Sequence, residues 1–249
     1  MTALLALAKR WNVPLVEDAA CAIGSRISLD GGSTFQPVGK PIGDAVCFSF
    51  HPRKVITTGD GGMITTDDEK IDRRFRLERQ HGMDVSDLGR HSSSTVIIES
   101  YSTTGYNYRM TDMQGAMGLA QLKRLDGIIE RRRQIADRYR ALLSGVKGLT
   151  LLAEPAWARY NWQSFLVFLD DTSLQKPVMQ AMLDKGISLR RGIMCAHRES
   201  PYRAGWSGAS LSASERATDT GLIIPLYPDM TDEQIETVAG ELTRTVSRS

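Results

Sequence analysis

Two residues have the type and setting to do chemistry together, Lys54 and Asp18. Lys54 follows an apolar run, Asp44-Ala-Val-Cys-Phe-Ser-Phe50, with the composition of a buried strand. It precedes Gly59-Asp-Gly-Gly62, a turn leading into a second strand, Met63-Ile-Thr-Thr66. A lysine just past a buried strand stands where the loops of a parallel sheet gather ligands. Partly desolvated there, its amine is a usable nucleophile. Ser49, five positions earlier, offers a hydroxyl to an anion such as phosphate. An exposed loop lysine is the ordinary alternative, and Asp18 argues against it. Val13-Pro-Leu-Val-Glu-Asp18 is another short apolar strand ending in a carboxylate. Two parallel strands carrying Asp and Lys at equivalent ends could hold a pyridine ring between them. The carboxylate would meet the ring nitrogen and the amine an aldehyde, the layout that pyridoxal phosphate chemistry demands.

Composition narrows the class without naming it. The 249 residues allow one large domain or two modest ones, with ample material for a core. With 41% hydrophobic and 24% charged residues the chain reads as an ordinary soluble globular protein. A formal charge of +2 gives no global reason to expect nucleic acid or a membrane. Cys21, Cys47 and Cys195 lack metal-ligand spacing, so no metal site is expected and reduced cytoplasmic thiols are the reading. No apolar run reaches the length of a membrane span, and the N-terminal charges follow the apolar residues, the reverse of a signal peptide.

Around the two chemical residues the elements read as follows. Residues 2–10 suit a helix, and 24–43, rich in Gly with Pro37 and Pro41, a hairpin-like excursion with weak strands. A charged helix is expected over 67–80 and a long loop from His81 through Ser102. Thr111-x-x-Gln114 is a capping box that should open the longest helix, with Met113, Met117, Ala120, Leu125 and Ile128 as a core-facing stripe. Arg131-Arg-Arg133 and its basic neighbours are interrupted by Asp126, Glu130 and Asp137, which favours a solvated helix face over a nucleic-acid surface. The pattern divides the chain into a larger domain over 1–142, including that long helix, and a small α+β domain over 143–249. In the latter, Asn161–Leu169 is a strong strand, Leu174–Lys185 a helix ended by Gly186, and Ile187–Leu189 another strand. Ser212-x-x-Glu215 and Thr231-x-x-Gln234 are further capping boxes flanking a buried strand at Leu222–Leu226.

Three motifs in order carry a resemblance. Val16-Glu-Asp-Ala-Ala20, the stretch Phe48-Ser-Phe-His-Pro-Arg-Lys54 through Gly62-Met63, and Gly105-Tyr-Asn-Tyr-Arg-Met-Thr-Asp-Met-Gln-Gly-Ala-Met-Gly-Leu-Ala-Gln-Leu122 resemble the DegT/DnrJ family of sugar aminotransferases. These are α/β enzymes of fold type I that use pyridoxal phosphate. The resemblance implies an incomplete large domain with a mostly parallel sheet, plus a small C-terminal α+β domain. It implies Lys54 and Asp18 as catalytic and cofactor-binding residues, with Ser49 and a neighbouring subunit's Asn107 on the phosphate. Cys21 stands where the family commonly has His or Gln near the cofactor's hydroxyl, and a thiol is a weaker donor there. Arg190 through Pro201 resembles a segment that borders the substrate, so Arg190, Arg191 and His197 are substrate-binding expectations, as is His81.

The implied reaction moves an amino group from glutamate or glutamine to a ketosugar nucleotide, at a 4-keto position of a 6-deoxy sugar. Such chemistry serves cell-surface polysaccharide or secondary-metabolite biosynthesis, in a cytoplasmic homodimer with shared active sites. Related dehydratases carry histidine in place of the lysine, which Lys54 disfavours. The family's phosphate-binding first helix and its ring-stacking aromatic have no counterpart in residues 1–12. The expectation is therefore a chain that starts inside the large domain, with an exposed apolar sheet edge. A non-catalytic, dimerising homologue is the alternative that this departure raises.

Overall fold

The computed structural model describes residues 1–85, 89–90 and 92–247. Its elements begin with α1 (Thr2–Trp11), β1 (Val16–Asp18), β2 (Arg26–Ile27), β3 (Gln36–Pro37), β4 (Ala45–Ser49), β5 (Gly62–Thr65), α2 (Glu69–Glu78) and α3 (Asp112–Leu122). They continue with α4 (Leu125–Leu143), β6 (Leu149–Leu151), β7 (Ala158–Arg159), β8 (Phe165–Leu169), α5 (Gln175–Leu183) and β9 (Arg190–Arg191). The last are α6 (Ser200–Arg203), α7 (Ser212–Thr220), β10 (Gly221–Ile224) and α8 (Asp232–Val246). The chain forms two compact units, residues 1–125 with 156–159, and 126–155 with 160–249.

In the first unit β4 is the central strand of a three-stranded sheet, parallel to β1 and antiparallel to β5. Two carboxylates lock the parallel register. Glu17 accepts the N–H groups of Ile42 and Gly43 at 2.6 and 2.8 Å, and Asp44 accepts that of Leu15 at 2.7 Å. Gly43 allows the close approach, since a Cβ there would lie 2.3 Å from the Leu15 carbonyl oxygen. β1 is a sheet edge with Val16 exposed, as the sequence led us to expect. The excursion over 24–43 supplies β2 and β3, short antiparallel strands joined by β7 into a second small sheet. The part of the expected long loop at residues 86–88 and 91 lies outside the described residues. Around it, Met83 and Tyr101 form an antiparallel bridge.

The second unit is a four-stranded antiparallel sheet, ordered β6-β8-β10-β9, with α4, α5 and α8 supplying apolar side chains to its core. Along β8 Phe165, Val167 and Leu169 are buried while Leu166 and Phe168 are only partly so, the period-two pattern of a strand facing one core. Ile135, Ala136, Tyr139 and Leu143 of α4 join that core. The second unit therefore begins at Asp126, earlier than the expected boundary at 142/143. Thr231 caps α8 in a complete capping box with Gln234. Thr231→Ala should lower stability by about 1 kcal/mol, read as an earlier midpoint in urea denaturation.

Five local expectations are corrected. The helix opened by Thr111 stops at Leu122, and the longest helix is α4, which starts at Leu125. The Met stripe does not face a core of this chain, since Met113 is 82% and Met117 48% exposed. The strand expected at Ile187–Leu189 forms at Arg190–Arg191, where β10 offers partners. Ser212 does not cap α7, because the helix already starts at Ser212 and its N-cap is Leu211, whose N–H donates to Glu215 Oε1 at 3.3 Å. Arg131, Arg132 and Arg133 of α4 are also not a solvated face. Arg131 donates to the Met230 carbonyl, Arg133 pairs with Glu154, and Arg132 is buried with Nη1 on the carbonyls of Trp162, Gln163 and Leu226. Burial pushes the Arg132 guanidinium below its ordinary pKa.

Candidate active site

The parallel pairing of β1 and β4 decides what meets what. Asp18 sits opposite Cys47, and Ser49 lies two residues further along β4, so both strands deliver polar side chains at the same, C-terminal end. After β1 the chain turns sharply. The N–H of Ala19 extends the ladder to the Cys47 carbonyl at 2.9 Å, and that of Ala20 donates to Asp18 Oδ1 at 3.0 Å. Among the described residues Oδ2 of Asp18 makes no hydrogen bond, so one carboxylate oxygen is held and the other is available. After β4 the His51–Lys54 turn closes with the Lys54 N–H on the His51 carbonyl at 2.9 Å. Lys54 Nζ then reaches Cys21 Sγ at 3.0 Å, which brings the turn after β1 and the turn after β4 into contact. Ser49 Oγ accepts the His51 N–H at 3.3 Å, and its own proton is free to turn outward.

Just beyond Lys54 the loop is fastened. Val55 and Ile56 are buried, and Thr57 Oγ1 donates to the Phe50 carbonyl at 2.8 Å. From α3, Gln121 accepts the Thr57 N–H at 3.2 Å through Oε1 and returns a bond from Nε2 to the Thr57 carbonyl. Gln114 Nε2 donates to the Asp60 carbonyl at 3.1 Å. A Cβ on Gly118 would sit 3.1 Å from Thr58 Cγ2, so the helix passes close to the loop. The sequence reading singled out Gln114 only as the partner of Thr111 in a capping box, and Gln121 not at all. Their separation of seven residues, two helical turns on one face, was the available signal.

His81 and Asn107 lie together on another segment. Gln80 and Asn107 form an antiparallel bridge, and the His81 N–H donates to the Tyr106 carbonyl at 2.9 Å. His81 has a left-handed backbone, φ 60°, uncommon for a residue with a side chain and a feature of functional turns. No hydrogen bond among the described residues joins this pair to Asp18 or Lys54. Arg190, Arg191 and His197 belong to the second unit. Arg191 pairs with Glu199 at 3.6 Å, while no ion pair among the described residues occupies Arg190. His197 Nε2 lies 3.0 Å from Glu215, and its ring lies beside Trp206 on the wall of an apolar cleft of about 630 Å³.

Glu215 also faces Arg198 and Ser210. The His197 bond above all, then Ser210, the Leu211 N–H and Arg198, hold its carboxyl down to about 2 from the ordinary 4.5. A depressed carboxylate contributes stability above its unfolded pKa and loses it as pH falls through the folded one. The contribution of this carboxylate to the stability difference between the wild type and Glu215→Gln should therefore be fully developed by about pH 4.5. It should shrink towards pH 2, as measured by denaturation at stepped pH.

Among the described residues, no group of three or more His, Cys, Asp or Glu could hold a metal ion, and no helix is long and apolar enough to cross a membrane. The donor set at the ends of β1 and β4 is instead one carboxylate, one primary amine and one hydroxyl. It fits a cationic ring nitrogen, an aldehyde and a phosphate. Comparison with known proteins agrees with that chemistry. The model of the DegT/DnrJ/EryC1/StrS aminotransferase family matches residues 1–243. The aminotransferase TlmJ from Streptoalloteichus hindustanus is 30% identical with a TM-score of 0.84, over 99% of this chain and 62% of its own. DesV of S. venezuelae is 27% identical with a TM-score of 0.84, over 100% and 62%. The putative sugar aminotransferase Spr1654 from Streptococcus pneumoniae, in its PLP form, shares the fold at 23% identity and a TM-score of 0.81, over 97% and 60%. The chain thus spans about three-fifths of the length of these proteins.

Proposed function

Because the chain belongs to the DegT/DnrJ/EryC1/StrS aminotransferase family, we propose that it binds pyridoxal phosphate and transfers an amino group to a ketosugar nucleotide. Glutamate or glutamine is the proposed donor and a 4-keto carbon of a 6-deoxy sugar the proposed acceptor. The observation that carries this reading is the meeting of the β1 and β4 turns, with the Asp18 carboxylate and the Lys54 amine at the same end of adjacent parallel strands. When bound, the cofactor supplies an electrophilic aldehyde and a ring that accepts electron density from the substrate carbon. Asp18, through its available oxygen, keeps a proton on the ring nitrogen, since a carboxylate stabilises the adjacent cation. Lys54 would hold the aldehyde and, as a free amine, would move a proton to and from the substrate carbon. Ser49 donates to phosphate. Arg190 and Arg191 are cations for the nucleotide diphosphate, with His81 and His197 as further substrate contacts.

A homodimer is part of the proposal, with Asn107 of a second copy completing the phosphate site. The exposed apolar side chains of α3, Met113 and Met117 on one side and Leu119 and Leu122 on the other, support it, because large apolar groups gathered on one short helix are ordinarily covered. A soluble cytoplasmic setting is proposed with it. The test is an absorbance spectrum of the purified chain with pyridoxal phosphate, then borohydride reduction and peptide mapping. A visible band with pyridoxyl mass on Lys54 supports the reading. Labelling scattered over surface lysines, with no band, overturns it.

A further inference from the structure

Lys54 Nζ and Cys21 Sγ are in contact at 3.0 Å, a pairing of two reactive heteroatoms rather than a thiol standing alone. The backbone enforces it. Each residue sits on the turn that follows one of two adjacent parallel strands, and the register of those strands is locked by Glu17 and Asp44. The other two thiols differ. Cys195 is buried with Sγ 2.8 Å from Thr218 Oγ1, and Cys47 lies half-buried within β4. Cys21 alone among the three is exposed and so open to a dissolved oxidant.

We infer that Cys21 and Lys54 form an oxidative cross-linking pair, in which a peroxide converts the contact into a reversible S–N bond that locks Lys54. In the first step the Cys21 thiol is oxidised by hydrogen peroxide to a sulfenic acid, and the peroxide is reduced, leaving one water. In the second, the neutral Lys54 amine attacks that sulfur. The S–N bond forms, the S–O bond breaks, and the hydroxyl leaves with an amine proton as a second water. Two equivalents of an external thiol return the original thiol and amine and are themselves joined as a disulfide. Sulfenic acids condense with a nitrogen held against them, and here the nitrogen needs no search. A histidine or glutamine at position 21 would have no such chemistry. The bond itself requires no cofactor. Its consequence, loss of the amine that anchors pyridoxal phosphate, rests on the proposed function.

The experiment treats the full chain with hydrogen peroxide before any pyridoxal phosphate is added, digests it without reductant and maps it by mass spectrometry. The expected product joins the peptides containing Cys21 and Lys54, two hydrogens lighter than their sum, and disappears on thiol treatment. Pyridoxyl trapping on Lys54 should fall in proportion to the linked fraction and return with the thiol. Cys21→Ser should form no link, and its trapping, at whatever level it has before treatment, should not change with peroxide. Recovery of Cys21 as sulfinic or sulfonic acid with Lys54 unlinked overturns the inference, as does equal peroxide sensitivity of Cys21→Ser. If untreated wild type and Cys21→Ser both fail to trap pyridoxyl, the cofactor reading fails, and the mass of the linked peptide still decides the cross-link.

Discussion

Lys54→Ala is expected to remove the visible band with pyridoxal phosphate, abolish pyridoxyl labelling of its peptide, and lower amino transfer by about 10³-fold or more. Two separate losses underlie that figure. The side chain both anchors the aldehyde and carries the proton to and from the substrate carbon, and proton transfer by a positioned group alone is worth about 10²–10⁴-fold. The fold should survive. Lys54 itself is only half-buried, and the loop is held by its neighbours Val55, Ile56 and Thr57 rather than by the amine. Unchanged far-ultraviolet circular dichroism with the activity gone is therefore the expected pair of results. A variant that keeps both the band and the turnover would place the amine elsewhere and end the proposed function.

The strand ends near Asp18 and Lys54 were legible because the sequence marks such ends well: an apolar run followed by a polar or charged residue and a turn. The boxes at Thr111 and Thr231 were legible for a similar reason, since each bonding partner lies three residues away. Ser212-x-x-Glu215 has the same spelling, yet the helix starts one residue early with Leu211 as its N-cap, and the glutamate takes the Leu211 N–H together with His197 and Arg198, at least seventeen residues away in the chain. Local spacing cannot see such competition. Periodicity had a different blind spot. The Met113–Met117 stripe shows that one face of α3 is apolar, but not whether the covering surface belongs to this chain. The same limit applies to Arg131, Arg132 and Arg133, whose carbonyl and carboxylate partners come from loops with no pattern of their own.

The break between α3 and α4 bears on the site, because it leaves α3 as a short helix packed within the first unit and placed against the loop after Lys54. Gln121→Ala is expected to cut amino transfer by about 10²-fold, the scale on which a displacement near 1 Å acts. The reason is geometric. Gln121 satisfies both the N–H and the carbonyl of Thr57, three residues after Lys54, and alanine would leave both groups without that partner. Losing the pair should also cost about 2 kcal/mol or more, enough to let the loop shift. A role confined to general stability would lower the midpoint of denaturation and leave the fully folded fraction as active as wild type. A positioning role predicts otherwise. At temperatures where the variant is fully folded, pyridoxyl labelling of Lys54 should be slower and less selective over other lysines, while the affinity for the amino donor changes little. Gln121→Glu separates the two further. Its carboxylate can still accept the Thr57 N–H but cannot donate to the carbonyl, so labelling should fall between that of wild type and Gln121→Ala. Wild-type labelling in both variants would show that the clamp from α3 does not set the position of Lys54.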